Sequence, residues 1–314
     1  MICHEDLVQL KSWLATGDVV DEIQFTTPAH QLLESLYPSR KDIESLIPSC
    51  KHREKQSKLQ ELDNELGRPA GFDFYANKVL PAFDKVADQG LFKTSGSIEP
   101  TFYNPYTKNG RVTKRNARGS ELYDKTGLAI QYISRHPDGR LLELDYDAHH
   151  LRLISSQIGF TAPETSFHRY LAQFYYDSEY DYKEAKQVTF QVMYGRSNPD
   201  FEAIPFFKLL SKFKSELWSE YRAQGYVTCP KSGRHIKANV KDIGQLLNYY
   251  ICSLETAENA ETILNLSQVP VMYSYDSFLF DVDSSTLAES LAAELPHPVT
   301  IKSGLNFHEL RTAE

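Results

Sequence analysis

The run Leu141 to Ser155, LLELDYDAHHLRLIS, narrows the folds open to this chain more than any other stretch. Leu141, Leu142 and Leu144 make a short apolar strand ending in Asp145-Tyr146, and Leu151 to Ile154 begin a helix. Such a strand needs cover on its apolar side and holds a carboxylate rigidly at a sheet edge. A second strand-borne carboxylate stands far downstream, where Val271 to Tyr275 and Phe278 to Val282 read as strands joined at Asp276-Ser277. Brought together, Asp145 and Asp276 form a candidate pair of ligands for divalent metal ions. Taken singly, an Asp at a strand end is more often a turn former or a helix cap, so other segments must decide.

With 314 residues, 41% of them hydrophobic, the chain can bury the core of one large domain or of a few subdomains. No apolar run approaches the roughly 20 residues that span a bilayer, and the opening MICHEDLVQLK carries charges where a signal peptide is apolar, so a cytoplasmic protein with no membrane partner is expected. Cys3, Cys50, Cys229 and Cys252 form no CxxC pair and read as reduced thiols. The net charge of −8 argues against a polyanionic partner, but its distribution reverses that inference. Between Tyr103 and Ser120 stand Lys108, Arg111, Lys114, Arg115 and Arg118 with no acid among them, interleaved with Gly and Asn. This basic loop either follows a phosphate backbone or is merely solvated.

The first 40 residues suggest a short helix, Glu5 to Ala15, and carry no assignable chemistry. A charged helix from Asp42 through KHREKQSKLQELDNEL follows, then an amphipathic helix, Phe74 to Ala87, with Phe74, Val79, Phe83 and Val86 toward a core. Gly127 to Ile133 and Leu141 to Tyr146 read as strands about the turn His136 to Gly139. Helices are expected over Pro163 to Tyr176, Asp181 to Tyr194, Ile204 to Gln224, Asp242 to Ser267 and Ser285 to Glu294, with a last strand from Val299 to Lys302. In the second of these helices Lys186, Phe190 and Tyr194 recur every four residues, with Lys183 one turn before Lys186. Ala185, Val188 and Val192 lie opposite, so the helix can pack on the body while turning a lysine, an aromatic ring and a tyrosine toward a cleft.

The K-x3-F-x3-Y-G spacing, after a strand-borne Asp-Tyr with Leu151-Arg152 and before the Tyr275-Asp276 hairpin, resembles the three polymerase motifs of family A DNA polymerases, the bacterial DNA polymerase I type. Gly110-Arg111 is similar to that family's TGR element, Gly225-Tyr226-Val227 to Gly233-Arg234 to its GYV…GRR segment, Asn248 to Ser253 to part of its Asn-x3-Gln helix, and Ile301 to Phe307 to its closing strand. The resemblance runs from about residue 100 to residue 314, and six elements in order are more specific than any one.

The resemblance implies an α+β fold of the right-hand polymerase kind, with an antiparallel-sheet palm and helical fingers and thumb. Residues 1–40 would be an N-terminal segment of unknown role, 41–100 the thumb, 101–160 the first part of the palm, 161–240 the fingers and 241–314 the rest of the palm. It implies a template-directed DNA polymerase acting on primer-template DNA and dNTPs. Asp145, Asp276 and the backbone carbonyl of Tyr146 would hold two Mg²⁺ ions, with Mn²⁺ as a possible substitute. Lys186, with Lys183, would meet the triphosphate, Phe190 would stack on the incoming base, and Tyr194 would stand beside the templating base. Arg111 and Asn248 would contact the minor-groove side of the primer terminus, and Lys114, Arg115 and Arg234 the DNA backbone.

Departures from the family pattern mark what is particular to this chain. The family's arginine before the motif lysine is Tyr182 here, its sugar-screening glutamate is His150, and the residues flanking Asn248 at four positions are Gly244 and Cys252. Its His-Asp-Glu is Tyr275-Asp276-Ser277. His150 has the bulk to obstruct a ribose 2′-hydroxyl but can also donate a hydrogen bond to one. The adjacent pair His149-His150 does not converge on a single ion. About 100 residues before the TGR-like loop are too few for a proofreading exonuclease beside a thumb, so a compact module is expected, of a kind suited to a bacteriophage, with proofreading absent or on a separate subunit. Two alternatives stand: a single-subunit RNA polymerase or primer-making enzyme, and a polymerase-like DNA-binding subunit without catalysis.

Overall fold

The structure is a computed structural model that describes residues 70–105, 107–116, 131–175, 181–195, 199–237 and 239–312. The expected N-terminal segment, the charged helix from Asp42, Arg118 and the start of the strand expected from Gly127 lie outside the described residues. No helix among the described residues is long and apolar enough to cross a membrane.

In chain order, a helical turn, Phe72–Phe74, and a π-helical stretch, Tyr75–Val79, lead into α1 (Leu80–Gln89). Two small hairpins follow, β1 (Leu91–Phe92) with β2 (Ile98–Glu99), and β3 (Thr101–Asn104) with β4 (Thr113–Asn116). The motif strand is β5 (Arg140–Tyr146), and the helices after it are α2 (His149–Ile158), α3 (Phe167–Ala172), α4 (Tyr182–Tyr194), α5 (Pro199–Glu202) and α6 (Pro205–Gln224). A hairpin of β6 (Val227–Thr228) and β7 (His235–Ile236) precedes α7 (Ile243–Asn265). The chain closes through β8 (Met272–Ser274), β9 (Ser277–Val282), α8 (Ala288–Ala293), β10 (Val299–Gly304) and β11 (Arg311–Thr312).

The central sheet has the order β11-β10-β5-β9-β8 and is antiparallel at every pairing. Period-two alternation divides β5 between its faces. Leu142, Leu144 and Tyr146 point into a core with Phe278 and Phe280 of β9, Val79, Phe83 and Val86 from the first helical stretch, and Ala260 and Ile263 of α7. Leu141 lies on the other face with Leu279, and Glu143 and Asp145 share that face by the same alternation. A second core joins α2, α3, α4, α6 and the first half of α7 through Leu151, Phe167, Met193, Phe206, Leu247 and their neighbours.

α7 spans both cores. Asp242 caps it, its side chain accepting from the Gln245 amide at 2.8 Å. Leu246, Leu247 and Ile251 serve the second core and Ala260 and Ile263 the first. Between them the helix buries Glu255, Thr256 and Asn259, a polar belt at the junction of two apolar cores.

Several expectations change here. The basic loop is a hairpin, with Lys114 and Arg115 on β4 paired to Tyr103 and Phe102. Tyr132 and Ile133 form only single bridges, to Lys93 and Asn306, because both edges of β5 are taken by β9 and β10. The helix expected from Pro163 begins only at Phe167. Arg152 draws the carbonyls of Pro163 and Thr165 to itself at 2.9 and 3.1 Å, while the Phe167 amide donates to Asp147 at 3.0 Å, which holds 163–166 out of the helix. α8 is likewise shortened, since Asp283 collects the amides of Ser285 and Thr286 in a turn. On α4 the buried seam is Ala185, Thr189 and Met193, with Val188 and Val192 only half-buried beside it. Thr189 tolerates burial because its hydroxyl donates to the Ala185 carbonyl at 2.9 Å.

Candidate active site

Asp145 lies opposite Ser277 in the β5–β9 register, and the Tyr146 amide donates to the Asp276 carbonyl at 2.8 Å, so the two aspartates meet at one end of the sheet. Asp276 sits in a two-residue turn where Tyr275 takes φ +59, a left-handed conformation uncommon for a non-glycine residue. Asn259 of the polar belt fixes that turn, donating to the Tyr275 carbonyl at 3.0 Å and lying 3.0 Å from the Tyr273 hydroxyl. Burial first, and then the neighbouring Asp145 charge, raise the Asp276 pKa. Two carboxylates crowded in this way favour a cation between them. One cationic group is already close by: Lys302 on β10 donates to Asp145 at 2.9 Å and to Glu143 at 3.0 Å.

The loop 107–111 presents Arg111 to the same place. Gly110 takes φ +81, and a Cβ there would run into the side chains of Arg234 and Ser253. Thr256 donates to the Gly110 carbonyl at 2.7 Å, and Arg234 donates to the carbonyls of Thr107 and Lys108 at 3.0 and 3.2 Å. Arg234 is therefore buried beneath the loop as its support. Arg111 emerges with its guanidinium 2.9 Å from Glu255 and stacked 3.9 Å from the centre of the Tyr275 ring. Lys114 is buried with its ammonium 5.8 Å from the same ring.

Glu255 is the hub that sequence reasoning missed. It is fully buried and takes Arg111 on one side and His150 Nε2, at 3.4 Å, on another. Burial alone would push its pKa up, but the hydrogen bond and charge of His150, with Arg111 and His149, bring it down to about 2. The signal lay in SLETAENAET, where polar residues recur at three and four inside an apolar helix. His150 uses its other nitrogen as well, with Nδ1 2.6 Å from the Tyr194 hydroxyl. Asn248, half-buried, lies beside Tyr194 and Cys252, and its Oδ1 is 3.8 Å from the Cys252 thiol. Gly244 has no room for a side chain: a Cβ would collide with the Tyr194 carbonyl where α7 crosses the end of α4.

On α4, Lys183 and Lys186 are exposed, Lys186 lies 5.9 Å from the Phe190 ring centre, and Phe190 stacks on Tyr194 at 6.1 Å. His168 of α3 backs this row, 5.3 Å from Phe190 and 6.0 Å from Tyr182. At the end of α4, buried Lys214 donates to the carbonyls of Met193 and Gly195 at 3.2 and 2.7 Å, a cation at a helix C-terminus. The structure thus joins Asp145, Asp276, Arg111, His150, Tyr194 and Asn248 around the polar belt, with Phe190 and Lys186 one and two turns out along α4. Of the residues expected to touch DNA, it places Arg234 beneath the loop and buries Lys114 beside the Tyr275 ring, so neither presents its charge to a phosphate backbone.

An antiparallel sheet carrying adjacent aspartates, flanked by helices that bring a lysine-aromatic-tyrosine row to the same end, is the α+β architecture of a polymerase domain. Among solved structures, the chain is similar to the POL domain of Pol1 from M. smegmatis, determined in complex with DNA primer-template and dNTP. The match has a TM-score of 0.52 at 14% identity and covers 98% of this chain and 67% of that one. No protein-family model matches the chain, and no curated protein matches it.

Proposed function

We propose that this chain is a template-directed DNA polymerase of the family A kind, adding dNTPs to a primer 3′-hydroxyl by two-metal nucleotidyl transfer. The observation that carries the reading is the meeting of Asp145, near the end of β5, with Asp276, in the turn between β8 and β9, with Tyr194 and His150 linked to the same polar belt. The reading assigns 101–160 and 241–314 to the palm, 161–240 to the fingers, and no 3′-5′ exonuclease to these 314 residues.

The donor set fits Mg²⁺: two carboxylates and the Tyr146 carbonyl are hard oxygen ligands, and burial, then the neighbouring Asp145 charge, raise the Asp276 pKa. Asp145, Asp276 and the Tyr146 carbonyl would hold Mg²⁺, or Mn²⁺ in its place, and the ions would supply acidification of a primer hydroxyl and charge neutralisation at the leaving pyrophosphate. Lys302 must leave Asp145 or share it when the ions bind. Lys186 and Lys183, exposed on α4, meet the triphosphate and stabilise negative charge developing on the leaving group. Phe190, braced by His168 and Tyr194, offers a flat apolar face to the incoming base. Both nitrogens of His150 are engaged, by Tyr194 and by Glu255, so its ring stands as a wall against a 2′-hydroxyl rather than as a donor to one. Arg111 and Asn248 face the primer terminus, and Arg115 serves the DNA backbone from the β3–β4 hairpin, whereas Lys114 is buried beside the Tyr275 ring.

Primer extension with Mg²⁺ and either dNTPs or NTPs tests this reading. Extension with dNTPs and strong discrimination against NTPs is expected. Equal use of both sugars would favour a single-subunit RNA polymerase. One observation favours a non-catalytic subunit, the Lys302 ion pair on Asp145, and no extension under any divalent ion would sustain it.

A further inference from the structure

Behind His149, away from His150, a second group of ligand-type side chains converges. His149 Nε2 on α2, Glu258 Oε1 on α7 and His297 Nε2, just before β10, lie within 4.8 Å of one another. Glu258 Oε1 is 3.4 Å from His149 Nε2 and 2.7 Å from His297 Nε2, while Glu258 Oε2 leans toward Lys231 at 3.9 Å. The Tyr146 ring covers the group from the strand side, 4.3 Å from His149 and 5.6 Å from His297.

His149 has a carboxylate at each ring nitrogen. Its buried Nδ1 makes no hydrogen bond and faces Glu255 Oε1 at 4.0 Å, while Nε2 faces Glu258. As a metal ligand this imidazole is neutral, with one N–H and one lone pair. With the proton on Nδ1, the N–H points to Glu255 and the Nε2 lone pair converges with Glu258 and His297 on one point. A ligating histidine whose other nitrogen donates to a carboxylate is the usual way such ligands are oriented.

We propose that His149, Glu258 and His297 bind one zinc ion, with Glu255 orienting His149 through its Nδ1–H. Two imidazoles and a carboxylate suit this borderline-soft cation, whereas the all-oxygen set at Asp145 and Asp276 suits Mg²⁺. Bonds of about 2.0–2.1 Å in tetrahedral geometry put donor atoms roughly 3.3–3.4 Å apart, the spacing His149 and Glu258 already have. His297, at the half-exposed end of a loop, moves outward slightly to complete it. Glu258 also lines a neighbouring cleft, with Ser156, Gln157 and Lys231. The ion would pin α2, α7 and the approach to β10 beneath Tyr146.

The test uses the full chain without DNA or nucleotide, stripped of metal and titrated with Zn²⁺ against a chromophoric chelator. One Zn²⁺ per chain is expected, with affinity lowered at least ~100-fold by His297→Ala and by Glu258→Gln, extending what loss of even an outer partner does. The double variant Asp145→Asn with Asp276→Asn should bind Zn²⁺ as the unaltered chain does. Zn²⁺ should also raise the melting temperature of the unaltered chain and not that of His297→Ala. No stoichiometric binding, binding unchanged in both His297 and Glu258 variants, or binding lost only with the two aspartates would overturn the proposal. Because no polymerase substrate is present, such a failure leaves the polymerase reading where it stood.

Discussion

At the scale of single residues, Glu255 decides how the candidate site is held. Its partner Arg111 is three-quarters buried, so Glu255→Gln leaves a guanidinium without its counter-charge and one acceptor oxygen where Arg111 and His150 now share two. Removing one member of a buried pair costs about 3–5 kcal/mol, and the partial exposure of Arg111 puts the expected loss near the lower end, measurable by urea denaturation. A smaller effect is expected at Lys302. Lys302→Met removes the ammonium resting on Asp145 and should strengthen divalent-ion binding at the aspartates, read by isothermal titration with Mn²⁺; weaker binding would show that Lys302 helps assemble the site instead. The sequence offered Asp145, Asp276 and Lys186 as candidates through their strand-end and helix-face positions, and the ordered resemblance around them singled them out. Glu255 and Lys302 were hidden because their importance comes from partners more than a hundred residues away, Arg111 and Asp145.

At the scale of elements, α4 and its supports carry two further expectations. Gly244→Ala drives a methyl group into the Tyr194 carbonyl, so α7 and α4 must separate. Overpacking of this kind costs about 1–3 kcal/mol, and it should loosen the Tyr194–His150 contact as well, visible as a fall in both stability and dNTP affinity. His168 predicts a pH dependence. Both its ring nitrogens are buried without hydrogen-bond partners, and burial, reinforced by the Lys186 charge, lowers its pKa from the ordinary 6.5 to about 4. An unfolded chain therefore takes up this proton first as acid is added. The His168 contribution to stability is intact above about pH 6.5 and is lost as pH falls from there toward about 4. His168→Phe should flatten the stability profile in that window; an unchanged profile would assign the acid sensitivity elsewhere. Helix periodicity located α4, α6 and α7 within a residue or two, since apolar stripes and the Asp181 and Asp242 caps are local signals. The short start of α3 was not legible, because it depends on Arg152 claiming carbonyls across the turn.

For the molecule as a whole, two cores joined by one long helix set a polar belt at their seam, and the aspartate turn, the arginine loop and the tyrosine end of α4 are all tied to that belt. The α+β class came from the resemblance to the polymerase motifs, and the observed sheet and helices agree with it. The order of strands in the sheet was not, because β10 reaches β5 only after the last helix and nothing local announces the pairing. The central claim is that Asp145 and Asp276 form a catalytic pair on a polymerase fold. Its most direct test is single-turnover dNTP incorporation by the unaltered chain and by Asp276→Asn, with primer-template affinity measured alongside by fluorescence anisotropy. Incorporation by the unaltered chain is expected, with a loss of at least ~10³-fold in rate for Asp276→Asn, the scale of removing a key electrostatic stabiliser, and little change in DNA affinity. Incorporation that survives the substitution, or a loss traced entirely to weaker DNA binding, would contradict that claim.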